Sequence, residues 1–265
     1  MSEAGDLREA CAEAARRGGR VLRQRFGGRR VIDYKGGIDL VTDADRASEE
    51  AVLSFLRARF PGASVLAEES GASGPAGAAL RFVIDPLDGT TNYAHGLPHF
   101  AVNVAAMDGA AVAAGATLDP LRDELFLSAR GEGATLNGES IHVSRTPELV
   151  KALLVTGFPY DVHQNYEMPL RIFGEYMRRA RAIRRMGAAA LDLAYVACGR
   201  FDGYWEMRLK PWDLAPGILL VREAGGIVDD FDGGDEMLSR GEVCAANPDL
   251  QPRLLAVLAE VRRAR

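Results

Sequence analysis

The sequence predicts an α+β fold in which helices are layered over sheets, and three observations carry that prediction. Through the second half of the chain, segments with apolar residues at three- and four-residue spacing alternate with short β-type runs. The middle of the chain reads as a meander of strands punctuated by turn pairs such as Asp108-Gly109 and Asn137-Gly138. Finally, 265 residues with 48% hydrophobic content can bury one large core or two smaller ones without crosslinks. Such alternation argues for layers rather than for a barrel or bundle.

Residues 7–26 place Leu7, Cys11, Ala14, Ala15, Val21, Leu22 and Phe26 on one helical face, with an interruption expected near Gly18-Gly19. A second helix is expected from Arg46 to Phe60, stopped by Pro61-Gly62, and Ser64–Ala67 reads as a strand leading to Glu68-Glu69. Leu80, Phe82, Val83 and Ile84 form another strand, which Pro86 should end because proline cannot donate to a sheet ladder. Strands are then expected over 100–112 and 118–143, with a boundary between halves at 144–148, so that the organisation is 1–147 followed by 148–265. The second half reads as strand 153–157, helix 166–179, a strand before Met186, helix 188–198, strand 203–207, helix 213–224, a strand at Ile227-Val228 and a last helix after Pro248.

The formal net charge is −5 and no long Lys/Arg block occurs, so nucleic acid is not an expected direct partner. Cys11, Cys198 and Cys244 are odd in number and far apart, which suggests neither a disulfide framework nor a thiolate zinc site. The N-terminus is polar and acidic and no run approaches a membrane span, so a cytoplasmic protein without membrane contact is expected. His95, His99, His142 and His163 show no ligand spacing. The run from Asp229 to Glu236 looks like a calcium loop but lacks the closing glutamate, with Arg240 in its place, and reads as a solvated acidic turn.

The chemistry is concentrated in Asp85-Pro86-Leu87-Asp88-Gly89-Thr90-Thr91-Asn92. An apolar strand delivers two carboxylates onto a turn where Gly89 lets the backbone approach a ligand and Thr90-Thr91 can open a helix toward an anion. Glu68-Glu69 also follows a strand, and Trp212-Asp213 opens a helix whose first turn suits Pro216. Singly, each acid reads as a helix cap or a solvated loop residue, Asp213 most of all. Gathered together, they would repel by roughly 4 kcal/mol per pair at about 4 Å, so the cluster requires cations, and oxygen ligands favour Mg²⁺ or Mn²⁺.

These segments, with Trp212-Asp213-Leu214-Ala215-Pro216-Gly217 and Glu223-Ala224-Gly225-Gly226, resemble the signatures of inositol monophosphatases. The resemblance covers most of the chain, with 41–45, 119–124, 136–138 and 157–160 in family order. It implies a layered αβαβα fold, a homodimer, Li⁺ inhibition and hydrolysis of a small-molecule phosphate monoester, inositol 1-phosphate above all. It implies two or three Mg²⁺ ions: Glu68, Asp85 and the Leu87 carbonyl would hold one, Asp85, Asp88 and Asp213 a second, and Glu68 with water a weaker third. Thr90, paired with Asp45 and near Glu68, resembles the group that orients the attacking water, while the Gly89 and Thr90 N–H groups would hold phosphate.

Glu206 resembles the carboxylate that binds the ring hydroxyls, and Gly187-Ala188-Ala189 resembles the segment that contacts the ring, with Ala188 where members of the family often carry Ser. Lys35 matches a lysine near the family's metal site, in a segment to Asp45 that is one residue short. Within the superfamily the alternatives are fructose-1,6-bisphosphatase, nucleotide 3′-phosphatase and histidinol-phosphatase activity. An alternative of another class is a regulatory binding partner of a transcription complex, because bacterial relatives of the family include one with such a role.

Overall fold

A computed structural model of the chain describes residues 3–28, 32–35 and 39–263. In chain order its elements are α1 (Glu3–Arg25), β1 (Ile32–Lys35), β2 (Asp39–Thr42), α2 (Asp43–Arg59), β3 (Ser64–Ala67), β4 (Gly71–Ser73), β5 (Leu80–Asp88), α3 (Thr90–His95), β6 (Ala101–Asp108), β7 (Ala111–Asp119), β8 (Glu124–Ala129), β9 (Gly133–Leu136) and β10 (Glu139–Ser140). They continue as β11 (Leu153–Thr156), α4 (Glu167–Arg179), β12 (Ala182–Arg184), α5 (Ala189–Ala197), β13 (Gly203–Met207), α6 (Pro211–Glu223), β14 (Ile227–Asp229), α7 (Met237–Arg240), β15 (Glu242–Ala246) and α8 (Gln251–Arg263).

Among the described residues the strands form a β1-β2 pair, an eight-stranded sheet of order β10-β9-β8-β7-β6-β5-β3-β4 and a five-stranded sheet of order β12-β11-β13-β15-β14. Helices α1 and α2 cover one face of the larger sheet, and α5 and α6 lie on its other face, against the smaller sheet; α4 and α8 close the stack. This is the αβαβα sandwich. Strand periodicity shows why it forms: Phe82 and Ile84 of β5 join the core under α1 and α2, while Val83 packs with Ala215 of α6. A central strand buried on both faces reads as a continuous apolar run for this reason.

Four sequence expectations are corrected. Helix α1 runs through Gly18-Gly19 unbroken. A Cβ on Gly18 would lie 2.7 Å from Ser48 Oγ, and one on Gly19 2.6 Å from Leu118 Cδ2, so these glycines let α1 press against α2 and the sheet. Strand β5 does not stop at Pro86; it continues to Asp88 across a register shift between Asp85 and Asp88. Helix α6 begins at Pro211, which places Pro216 inside the helix rather than in its first turn. The helix α7 and strand β15 were not anticipated. The turn before them is not simply solvated, because Asp230 is buried and accepts from the Asp232 and Gly234 amides at 2.8 and 2.9 Å. Lys35 ends β1, and its side chain lies outside the described residues.

Candidate functional site

Strands β3 and β5 are parallel neighbours with Ala67 opposite Ile84, and the Glu68 amide donates to the Ile84 carbonyl at 3.1 Å. Their next residues, Glu68 and Asp85, are therefore adjacent at the carboxyl ends of two strands. Across β5, Asp85 pairs with Asn103 and Asp88 with Ala101, so the loop holds one residue more than β6 does. That β-bulge absorbs Pro86 and Leu87 and aims both aspartates at one cleft. Ser48 Oγ ties down the Pro86 carbonyl at 2.8 Å, and the Leu87 amide donates to Asp85 Oδ1 at 2.9 Å. The Glu68-Glu69 turn is held from behind, because the Glu69 and Ser70 amides each donate to the Glu49 carboxylate at 2.9 Å.

Asp213 arrives from α6, and its position follows from a proline. Pro216 has no N–H, so the Trp212 carbonyl four residues earlier loses its helical partner. Asn103 Nδ2 fills the gap at 2.7 Å, and Thr117 Oγ1 donates to Asn103 Oδ1 at 2.6 Å, which sets the amide's orientation. The residue opposite Asp85 in the sheet thus anchors the helix start that carries Asp213. Asp213 Oδ2 also accepts the Lys210 amide at 2.7 Å, closing the first turn of α6.

Glu68, Asp85, Leu87, Asp88, Gly89, Thr90 and Asp213 line one cleft of about 160 Å³. Larger grooves of about 590 and 640 Å³ lie elsewhere, but neither contains any of these residues. Burial raises the Asp85 carboxyl well above its ordinary value, and Glu68, Asp88 and Asp213 add to that. Asp213 is pushed up to about 8 by burial and by Asp88, against the Lys210 amide. Asp88 rises only to about 6, because the N–H groups of Ala190, Ala189, Leu191 and Gly89 oppose its burial. Asp85 shares the cleft with Glu68 and Asp213, and acids gathered at one buried site do not all ionise without a counter-charge.

Divalent cations fit this donor set: buried, adjacent and made only of oxygen. Among the described residues no three acid, histidine or cysteine side chains are closed into a ligand shell, so the fit rests on donor chemistry. The Leu87 carbonyl belongs to the set, since it accepts Thr90 Oγ1 at 3.0 Å and keeps a second lone pair. Thr90 Oγ1 also lies 3.1 Å from Asp45 Oδ1, so the expected Thr90–Asp45 pair forms. Asp45 is raised to about 6 by burial, although Thr42 donates to it twice.

Gly89 caps α3 at φ 89°, in the left-handed region, and a Cβ there would lie 3.1 Å from the His99 carbonyl and 3.2 Å from that of Gly187. The bulged loop thereby touches the segment that opens α5. Asn92 Nδ2 joins the two, facing the His99 and Met186 carbonyls at 2.9 Å. Ala188 caps α5, and Ala190 N donates to Asp88 Oδ2 at 2.8 Å. Gly187, Ala188, Ala189 and Glu206 line an adjoining cavity of about 90 Å³ that shares Asp88, Gly89 and Asp213 with the cleft. Glu206 Oε2 accepts the Tyr204 hydroxyl at 2.7 Å, and burial raises its carboxyl to about 7.

Apart from Lys35, whose side chain lies outside the described residues, each residue expected at the site lines one of these two adjoining cavities or, as with Asp45, is bonded to a residue that does. Sequence reasoning missed Asn103, Ser48 and Glu49, which support the site from neighbouring elements. Pro216 was the available signal for Asn103, since a proline within a helix frees a carbonyl that needs a donor.

A three-layered helix stack around two sheets, with a carboxylate-lined cleft where strand ends meet a helix start, defines the class of protein. The chain belongs to the inositol monophosphatase family, whose model matches residues 5–263. It is 42% identical over 244 residues to the Nus factor SuhB of Pasteurella multocida, covering 91% of each chain. It is 41% identical over 259 residues to the chloroplastic phosphatase IMPL1 of Arabidopsis thaliana, covering 96% of this chain and 70% of that one. The structure of an inositol monophosphatase from Anabaena superposes with a TM-score of 0.90 at 40% identity, covering 98% of this chain and 97% of the other.

Proposed function

We propose that the protein hydrolyses a phosphate monoester with Mg²⁺, and that inositol 1-phosphate is its substrate. The observation that carries this reading is Asp85, buried in one cleft with the acids Glu68, Asp88 and Asp213, where the donors are oxygens. Glu68, Asp85 and the Leu87 carbonyl would hold one ion, and Asp85, Asp88 and Asp213 a second, with Glu68 supporting a third. These residues would hold cations there that, when bound, would lower the pKa of water and offset charge on the phosphoryl oxygens and departing alkoxide.

The remaining steps belong to the chain's own groups. Gly89 and Thr90 offer backbone N–H donors to the phosphate at the start of α3. Thr90 Oγ1, bonded to Asp45 and the Leu87 carbonyl, orients the attacking water from a hydroxyl that both partners hold in place. Glu206 accepts hydroxyls of the alcohol, which rests against Gly187, Ala188 and Ala189. A methyl side chain at Ala188 contributes no hydrogen bond there. The same reading takes the protein as a cytoplasmic homodimer inhibited by Li⁺, which sedimentation and a Li⁺ titration of turnover would check.

The test is phosphate release from inositol 1-phosphate, fructose 1,6-bisphosphate, histidinol phosphate and adenosine 3′,5′-bisphosphate, with Mg²⁺ and with a chelator. Mg²⁺-dependent release with inositol 1-phosphate leading is expected, and chelator-resistant release would overturn the metal assignment. Glu206→Gln should raise KM for inositol 1-phosphate about tenfold and leave an aryl phosphate unaffected, equal effects on both contradicting its role.

The name of the 42% identical relative, a Nus factor, favours a second reading in which the protein also serves a transcription complex. If that role dominates, an inactive Asp85→Asn variant will fully rescue a deletion strain.

A further inference from the structure

We propose that Arg185 is a specificity-determining residue: its guanidinium donates to a hydroxyl of the alcohol in the cavity it shares with Glu206, which makes a neutral polyol, rather than an alcohol with a second anionic group, the preferred one. The inference rests on the phosphate monoester hydrolysis proposed above. Arg185 lies between β12 and α5, just before the Gly187-Ala188-Ala189 segment, and lines the same alcohol-side cavity. Among the described residues it is the only lysine or arginine on that cavity's wall. Its place there depends on a glycine. Gly187 has φ 83°, in the left-handed region, and a Cβ on it would lie 2.9 Å from Arg185 Nη1. The bare α-carbon therefore lets the guanidinium lie against the segment on which the alcohol rests. Glu206 is admitted in the same way, since a side chain on Gly157 would collide with both of its carboxyl oxygens.

An acid and a base thus line one cavity of about 90 Å³, yet they do not close into a salt bridge across it. Glu206 Oε2 is engaged by the Tyr204 hydroxyl, whereas Arg185 makes no hydrogen bond or ion pair with any described residue. Its N–H fork is left for a ligand. The wall beside it offers little else to a hydroxyl, because Ala188 and Ala189 present methyl groups and Phe158 and Leu209 present carbon. A hydroxyl both donates and accepts, so a polyol can give hydrogen bonds to Glu206 and take them from Arg185. A second phosphate or carboxylate on the alcohol would meet both charges at once. Repulsion from Glu206 would then offset attraction to Arg185, so the pair favours a neutral alcohol over an anionic one.

Steady-state kinetics with Mg²⁺ test this on three substrates: inositol 1-phosphate, inositol 1,4-bisphosphate and an alkyl phosphate without further hydroxyls. Arg185→Met keeps the reach of the side chain and removes its donors, and the position is exposed, so the fold withstands the change. KM for inositol 1-phosphate should rise about tenfold, while kcat, and KM for the alkyl phosphate, stay within about twofold. The parent protein should favour inositol 1-phosphate over the bisphosphate about tenfold in kcat/KM, and Glu206→Gln should narrow that preference by leaving Arg185 unopposed. Equal rises in KM for inositol 1-phosphate and the alkyl phosphate would mean that Arg185 attracts any phosphate, and would overturn the proposal. So would an unchanged KM for inositol 1-phosphate, or a parent protein that prefers the bisphosphate. These outcomes leave the hydrolysis reading standing, because the parent still turns over. A parent without Mg²⁺-dependent release from any of the three would overturn both.

Discussion

Two acidic loops of this chain look alike in sequence and behave oppositely in the fold. One is Asp85-Pro86-Leu87-Asp88-Gly89 and the other Asp229-Asp230-Phe231-Asp232-Gly233-Gly234; each takes in the end of a strand and closes in glycine. In the second, Asp230 accepts three backbone amides and Arg240, while Asp232 pairs with Arg240 and Arg262. Burial would raise the Asp230 carboxyl, but those amides and the guanidinium outweigh it and hold it below the usual range. In the first loop burial drives the Asp85 carboxyl up, and three other acids, Glu68, Asp88 and Asp213, add to that. The comparison teaches that acid content does not identify a cation site. What matters is whether the protein's own donors match the carboxylates it buries.

The largest expected effect comes from breaking that mismatch. Asp85→Asn keeps the shape of the loop but removes the charge shared by Glu68, Asp88 and Asp213. Mg²⁺-dependent turnover should fall about a thousandfold, with phosphate release as the measurement. Asp230→Asn, in the internally satisfied loop, should leave kcat within about twofold of the parent protein. Near-normal turnover in the Asp85 variant would end the two-cation assignment, and an equal loss in both would show that the loops do not differ as described.

Much of the first loop was legible because its parts are local. An apolar strand, two acids at a spacing of three, Gly89 and the helix-opening Thr90 are all read within eight residues, and Glu68 falls beside Asp85 once two parallel strands are assumed. The bulge was not legible, because Pro86 argues locally for a strand end, and only pairing with Asn103 and Ala101 keeps the strand going. Gly18-Gly19 misled for the same reason. Local propensity disfavours glycine inside a helix, while the close approach of α1 to Ser48 and Leu118 demands it. The second loop is solvated over 232–236 as expected, but its buried Asp230 and the pairing with Arg240 and Arg262 were not legible, since those partners come from α7 and α8. Asn103 carries no motif at all; it acquires meaning only from Trp212, far away in sequence.

A stability measurement separates the loops a second way. Asp230→Ala strips the acceptor from the Asp232 and Gly234 amides and leaves Arg240 short of a partner. Denaturant unfolding should show a loss of about 2 kcal/mol, with or without Mg²⁺. Asp85→Asn in chelator should be neutral or stabilising, because it removes a repelled charge. A destabilisation of similar size in both would contradict the donor accounting.

The smallest effect concerns pH and carries opposite signs in the two loops. Asp88 and Asp213 have folded values of about 6 and about 8, above an ordinary 3.8. Without metal, the folded state then binds more protons than the unfolded one. Its stability from these groups is complete below about pH 4 and is lost as pH rises through 6 and 8. Asp230 is lowered, so its contribution is present above its ordinary value and is lost on acidification. Thermal unfolding in chelator should therefore show Tm declining between pH 6 and 8.5, the decline being shallower in Asp85→Asn, which lacks one of the interacting acids. Mg²⁺ binds the ionised carboxylates, so the Tm gain it confers should be larger at pH 8.5 than at pH 6 by a few degrees. The Asp230→Ala variant should keep the parent's alkaline slope. A Mg²⁺ gain that is the same at both pH values would mean that the first loop, like the second, is already satisfied by its own protein.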